Sequence, residues 1–227
     1  MKIIYTNIYS LYIYTAALTI LMLVASCKQE RPTIEKLTND KITNAVISSV
    51  KINPTITEKL IQSGLLQIKY TRSYDPAYVK IKYPGGDVPI ETGVCTDVVI
   101  RAFRKVGVDL QKEVHEDMKR NFHLYPKNWG LQKPDTNIDH RRVPNLMVYL
   151  QRQGKAVSVT NNKEKFLPGD IVTWDLGFGQ QHIGIVSYNL STNTKNPLII
   201  HNIGSGTKEE DILFNWKIIG QYRYFNS

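Results

Sequence analysis

Residues 93–107, Gly-Val-Cys-Thr-Asp-Val-Val-Ile-Arg-Ala-Phe-Arg-Lys-Val-Gly, predict an amphipathic helix that begins at a cysteine. Apolar residues recur in this stretch at the spacing of one helix face, and Gly107 is the residue type that commonly follows a helix end. Cys95 lies four residues before Val99, so its side chain shares the inward face. We expect Cys95 to point at a neighbouring sheet from the first turn of this helix.

The position of Cys95 favours a reactive thiol. Free backbone N–H groups and the positive end of the helix dipole stabilise a thiolate in the first turn of a helix. Gly93 allows the unusual backbone angles of a sharp turn just before it. The alternative is a buried and inert cysteine, which is common for this small apolar residue. Cys95 taken alone leaves both alternatives open.

The last third of the chain predicts an antiparallel sheet. Strand patterns occur at 170–174, 182–186, 198–203 and 218–225. An earlier strand is predicted at 78–83 and a turn at 84–87, while helical spacing occurs at 37–50 and 144–154. Residues 121–142 are expected to form a long ordered loop. Helices followed by strands are typical of the α+β class.

The predicted strand at 182–186 carries a histidine that can act as a base. Strand periodicity places His182 on one face with Gly184 and Val186. We expect open space beside the imidazole at Gly184. A histidine there can accept the thiol proton and later protonate a leaving amine. The alternative is a histidine that only satisfies hydrogen bonds within the sheet.

A catalytic base needs a third group that fixes its tautomer. His201 and Asn202 lie on the next predicted strand. Neighbouring residues of a strand point to opposite faces, so only one of them can serve. The residues themselves leave this choice open.

The N-terminus predicts an export signal. Lys2 precedes a long apolar stretch that ends Leu-Val-Ala-Ser-Cys at Cys27. This ending resembles a bacterial lipobox, in which the cysteine is lipid-modified and becomes the mature N-terminus. A plain signal peptide or a single membrane span are the alternatives. Acylation of Cys27 leaves Cys95 as an unpaired thiol in an oxidising compartment, which needs an explanation.

Composition limits the class of partner. The chain of 227 residues is long enough for one domain with a sizeable core, and its net charge is +9. A basic surface suits anionic lipids or an acidic wall polymer. The basic residues are scattered without an arginine-rich run, so we expect no nucleic-acid binding. His115 and His123 lack ligand spacing, so no metal site is expected.

Four motifs in order carry a family resemblance. Cys95 at a helix start, the segment Leu167–Val172, the segment His182–Val186 and a polar residue on the next strand resemble the NlpC-type branch of papain-like cysteine hydrolases. Three further segments narrow the resemblance to the bacterial domain-of-unknown-function family numbered 1287, over nearly all of the mature chain. These segments are Tyr74-Asp75-Pro76, residues 137–142 and Tyr222-Arg223-Tyr224.

The resemblance implies an enzyme that hydrolyses amide bonds in peptidoglycan stem peptides and needs no cofactor. Cys95 would attack the carbonyl, His182 would act as base and then acid, and His201 rather than Asn202 would orient His182. The oxyanion would lie near the Cys95 backbone N–H. Many NlpC-type endopeptidases have aspartate just before the cysteine, where this chain has Val94, so the peptide specificity stays open.

The expected organisation is a lipoprotein signal peptide at 1–27, a tether at 28–36 and a papain-like cysteine hydrolase domain at 37–227. The lipid anchor would hold the protein in the bacterial envelope. The Lys28-Gln29 pair that follows Cys27 lacks the aspartate that retains some lipoproteins at the inner membrane. By resemblance, this favours the outer membrane facing the periplasm. A non-catalytic wall-binding lipoprotein and a thiol-dependent acyltransferase or thioesterase are the alternative functions.

Weaker candidates surround these residues. Tyr74, Asp75 and Asp97 are candidates for substrate binding, although a structural turn also explains Tyr74 and Asp75. The charged residues 139–142 could hold a wall carboxylate or pin the long loop by ion pairs. Glu209, Glu210 and Asp211 are expected to form a solvated turn.

Overall fold

A computed structural model describes residues 53–225, which form an α+β domain with a six-stranded antiparallel sheet. The predicted α+β class is confirmed. The expected signal peptide, the tether and the helix at 37–50 lie outside the described residues. The α-helices of residues 53–225 are α1 Ile56–Leu66, α2 Cys95–Lys105, α3 Leu110–Asn121 and α4 Val143–Arg152. The strands are β1 Ala156–Val157, β2 Ile171–Gly177, β3 Gln180–Leu190, β4 Pro197–Asn202, β5 Thr207–Glu210 and β6 Lys217–Tyr222.

The sheet has the strand order β1-β6-β2-β3-β4-β5, with antiparallel pairing throughout. One face packs against the helices, where Ile183 and Ile185 of β3 join a buried cluster with Val98 and Val99 of α2. The opposite face buries a second cluster around Trp174. The two clusters place the start of α2 against the middle of the sheet.

Helix α2 begins and ends where the sequence predicts. The Val94 N–H donates to Asp97 Oδ2 at 2.7 Å, which satisfies a free donor of the first turn. Gly107 follows the helix with a φ of +88°, a left-handed conformation that favours glycine. The apolar face between these residues is buried, so local signals and packing agree.

The predicted strand at 78–83 is wrong. Residues 78–83 form no strand, and side chains take the place of a neighbouring strand. The Ile81 N–H donates to Asn137 Oδ1 at 3.0 Å, and the Lys82 carbonyl accepts from Gln111 Nε2 at 3.0 Å. The alternation of apolar residues here reflects contacts with a loop and α3 rather than a sheet.

The expected solvated turn at 209–211 is also wrong in its main part. Glu209 and Glu210 belong to the edge strand β5, and Glu210 lies opposite Ile199 of β4. A short strand of charged residues has no apolar alternation, which is why the sequence did not predict it. Among the helices of residues 53–225, none combines the length and apolar character needed to span a bilayer.

Candidate active site

Cys95 is the first residue of α2 and is almost fully buried, with 4% of its surface exposed. Burial raises the pKa of the Cys95 thiol to about 12, because a thiolate loses hydration there. The backbone N–H groups of Ile183, Thr96 and Cys95 itself oppose this shift, and burial outweighs them. The helix start therefore does not produce the expected resting thiolate, and the thiol is neutral at neutral pH.

His182, His201 and Glu210 form a hydrogen-bonded chain across β3, β4 and β5. His182 Nε2 lies 2.9 Å from His201 Nδ1, and His201 Nε2 lies 3.0 Å from Glu210 Oε2. Both rings are buried, whereas the Glu210 side chain is 39% exposed. The chain therefore runs from the interior of the sheet to its solvent-exposed edge.

The hydrogen bonds from His182 through His201 to Glu210 define the tautomer of each ring when both rings are neutral. A carboxylate can only accept, so His201 Nε2 carries the proton that it donates to Glu210. His201 Nδ1 is then an acceptor, and His182 Nε2 must donate to it. His182 Nδ1 is left unprotonated, as a general base requires.

Burial keeps both rings neutral at neutral pH. Burial, and after it positive charge on His201, lowers the pKa of His182 to about 3. Burial also lowers the pKa of His201 and outweighs the attraction of the Glu210 carboxylate. The resting site therefore holds a neutral thiol and neutral imidazoles, and any ion pair must form during reaction.

Asn202 has a different role from His201. Its Nδ2 donates to the carbonyls of Ser73 at 3.1 Å and Gly93 at 2.9 Å, and its Oδ1 accepts from the Gly206 N–H at 3.1 Å. Asn202 thus ties the segment before Cys95 to the end of β4. Of the two candidate third residues, only His201 is hydrogen-bonded to His182.

Gly184 does not leave the open space expected beside His182. A Cβ atom at Gly184 would come within 2.6 Å of Ile199 Cγ2 and 3.3 Å of His201 Cβ. The missing side chain instead allows β4 to approach β3 closely. Gly184 therefore serves the His182–His201 contact by permitting this approach.

Cys95 and His182 line adjoining cavities that share two residues. The cavity at Cys95 has a volume of about 550 Å³ and the cavity at His182 about 450 Å³, and Tyr74 and Gln181 line both. Within residues 53–225, no hydrogen bond joins the thiol to the ring. The Ile183 N–H faces the thiol. The ring of the preceding residue, His182, lies on the opposite face of the sheet beside Trp174, with 5.7 Å between the ring centroids.

The three candidate substrate-binding residues differ in placement. Tyr74 lines both cavities, and its pKa is raised to about 12, first by burial and then by negative charge on Cys95. Asp75 Oδ1 accepts the Ala77 N–H at 2.9 Å and so closes its own turn.

Asp97 lies beneath the cleft rather than at its surface. The residue is buried, and its two oxygens accept from Arg141 Nε at 2.9 Å and Nη2 at 3.0 Å. Both oxygens are therefore engaged within the protein. This geometry favours a structural role at the start of α2 over substrate contact.

The region that contains the site has recognisable relatives. Residues 61–224 match the family described as Domain of unknown function (DUF1287). The chain belongs to this family. It is similar to the uncharacterized protein YijF of Escherichia coli (strain K12), with 50% identity over 190 residues that cover 81% of this chain and 92% of that protein. The narrower resemblance found in the sequence is thus confirmed, and Cys95, His182, His201 and Glu210 all fall within the matched residues.

Sequence reasoning missed Gln181, which lines both the Cys95 cavity and the His182 cavity. Its Oε1 is buried without a hydrogen-bond partner in the described residues. Only its position just before His182 could have drawn attention to it. No group of three His, Cys, Asp or Glu residues within 53–225 is arranged to hold a metal ion.

Proposed function

We propose that the protein is a cysteine hydrolase of the NlpC-type, papain-like class that cleaves amide bonds in peptidoglycan stem peptides. The observation that carries this proposal is the buried chain from His182 through His201 to Glu210. It leaves His182 Nδ1 unprotonated, and His182 lines a cavity that adjoins the cavity of Cys95.

The reaction begins with two neutral partners. As Cys95 Sγ attacks the substrate carbonyl carbon, its proton passes to His182 Nδ1, and the carbonyl oxygen becomes an oxyanion near the Cys95 N–H. His182 then gives the proton to the leaving amine as the C–N bond breaks. Water, deprotonated by His182, hydrolyses the thioester and returns the thiol. His201 and Glu210 stabilise the transient imidazolium at His182.

The thiol and ring must come together for the first step. Catalytic hydrogen bonds are often long before substrate binds and shorten in the complex. The cavity walls shared at Tyr74 and Gln181 offer a continuous path for a substrate that spans both groups.

The proposed location is the bacterial envelope. A lipid anchor at Cys27 would hold the domain at the outer membrane, facing the periplasm. Loss of Lys2 with the signal peptide changes the net charge from +9 to 9 − 1 = +8, which suits an acidic wall polymer. Nucleic acid is not a proposed partner. Incorporation of labelled palmitate into wild type but not Cys27→Ala would test the anchor.

The proposed reaction is tested by mass spectrometry of soluble fragments released from purified sacculi. The full-length chain in detergent is compared with Cys95→Ala, and Glu209→Gln serves as a control outside the proposed site. Fragments from wild type and Glu209→Gln alone are expected, and their masses identify the bond. Equal sacculus binding by all three proteins without any fragments would instead support a non-catalytic wall-binding protein.

A further inference from the structure

We propose that Arg142, stacked on Trp129, forms a subsite for a carboxylate group of the substrate in the cleft of Cys95. The assignment to a substrate rests on the proposed function. The binding chemistry itself depends only on the side chains that line this cleft.

Arg142 is held close to the start of α2. The Thr96 hydroxyl donates to the Arg141 carbonyl at 3.0 Å, which joins the residue after Cys95 to the residue before Arg142. Cys95, Trp129 and Arg142 line the same cavity of about 550 Å³. A ligand bound at Arg142 therefore shares the cleft with the thiol.

The Arg142 guanidinium has a fixed position and spare donors. Its Cζ atom lies 4.0 Å from the centroid of the Trp129 ring, a cation–π contact. Its Nη1 donates to Asp139 Oδ1 at 3.3 Å, and this is its single protein acceptor within residues 53–225. Nε and Nη2 remain as donors that can bind the two oxygens of a carboxylate.

Arg141 provides an internal comparison. This neighbouring arginine also lines the cleft, but it donates to Asp97 and to the carbonyls of Asp75 and Ala77. The guanidinium donors of Arg141 are therefore occupied by acceptors within the protein. Arg142 is thus the arginine of this pair whose donors are available to a ligand.

The lining of the cleft favours an anion. The charged residues that line the Cys95 cavity are Arg141 and Arg142. Because Arg141 is paired with the buried Asp97, Arg142 supplies the positive charge that a ligand would meet. Asp139 lies behind Arg142 and reduces its long-range field, so recognition depends mainly on directed hydrogen bonds. A carboxylate suits this arrangement better than a neutral or cationic group. Substrates with a carboxylate near the scissile bond are therefore expected to be preferred.

The test compares two alkylating reagents that differ in charge. Iodoacetate carries a carboxylate and iodoacetamide does not, and mass spectrometry of the Cys95 peptide gives both rates on the full-length chain. Arg142→Gln is expected to lower the iodoacetate-to-iodoacetamide rate ratio about fivefold. Arg120→Gln is the control, because Arg120 lies on α3 with a 66% exposed side chain, and its ratio should match wild type.

A second variant distinguishes loss of the carboxylate subsite from loss of folding. Trp129→Leu removes the stacking surface but keeps every charge, and it is expected to lower the ratio about twofold. An unfolded Arg142→Gln protein would react with both reagents at the rate of urea-treated wild type, and Trp129→Leu then decides. Ratios equal to wild type in a folded Arg142→Gln protein, or in Trp129→Leu, would overturn the proposal. Neither reagent is a peptide, so failure of the sacculus experiment leaves this result unaffected.

Discussion

His201 Nε2 lies 3.0 Å from Glu210 Oε2, although the two residues are not directly opposite in the β4–β5 ladder. His201 pairs with Lys208, and Glu210 reaches it diagonally from two residues along the same strand face. This contact connects the buried ring to a carboxylate at the edge of the sheet. The edge strand thereby determines which nitrogen of His182 can accept a proton.

Replacing the Glu210 carboxylate should release this control. In Glu210→Gln the side-chain amide can donate as well as accept, so His201 is no longer held in one tautomer. We expect kcat/KM to fall by about tenfold, the lower end of the effect seen when a residue that orients a metal-bound histidine is replaced. Nitrogen-15 NMR of the His182 ring should show a mixture of tautomers in place of one.

Glu209→Gln is the matched control for Glu210. Glu209 is the preceding residue of β5, and it accepts from Ser187 and Asn189 rather than from a histidine. Its substitution should leave the His182 tautomer and the pH profile unchanged. Equal effects of the two substitutions would show that β5 matters only for stability.

Substitutions at His201 and Asn202 should have different effects, the first mainly on activity and the second mainly on stability. Asn202→Ala removes three hydrogen bonds and leaves Gly93 O and Gly206 N without their partner, so we expect a loss of about 2–3 kcal/mol in the free energy of unfolding. His201→Asn should abolish most activity with a smaller change in stability. Guanidinium unfolding and fragment release measure the two effects. An active His201→Asn protein beside a stable but inactive Asn202→Ala protein would reverse the assignment.

The sequence predicts the elements that carry the thiol and the two histidines, because their signals are local. Helical spacing with Gly107 defines α2, and strand alternation defines the segments around His182 and His201. The role of Glu210 escapes prediction because its short edge strand is charged and depends on pairing with β4. The open space expected at Gly184 is absent, because a glycine in a sequence does not distinguish an open cavity from a close approach between strands.

The Asp97–Arg141 pair could not be predicted for a similar reason. Asp97 lies near Cys95 in sequence, which suggested substrate contact. Its partner Arg141 lies 44 residues away at the end of a three-residue 3₁₀ helix, which is too short to show a periodic signal. Long-range contacts also determine the conformation of residues 78–83. Their alternation resembles a strand, but their backbone groups bind side chains of residues that are distant in the sequence.

This buried pair should be essential for stability. The Arg141 and Asp97 side chains are 3% and 4% exposed, so removing one partner leaves an uncompensated charge. Asp97→Asn is expected to lower the free energy of unfolding by about 3–5 kcal/mol. The exposed Arg120–Glu116 pair, at 3.9 Å, provides the comparison, because Arg120→Gln should change stability by less than about 1 kcal/mol. Similar losses in both variants would contradict a structural role specific to Asp97.

The neutral resting state of Cys95 predicts an unusual pH dependence of alkylation. Burial raises the thiol pKa to about 12, so the thiolate fraction increases with pH throughout the neutral range. The iodoacetamide rate at Cys95 should rise about tenfold per pH unit from pH 7 to pH 10, without a plateau, because only the thiolate reacts. In urea the iodoacetamide rate at the same cysteine should approach a plateau at a pH just above the ordinary thiol pKa of about 8.5. A plateau below pH 7 in the folded protein would instead require a thiolate–imidazolium pair before substrate binds, and it would contradict concerted proton transfer to His182.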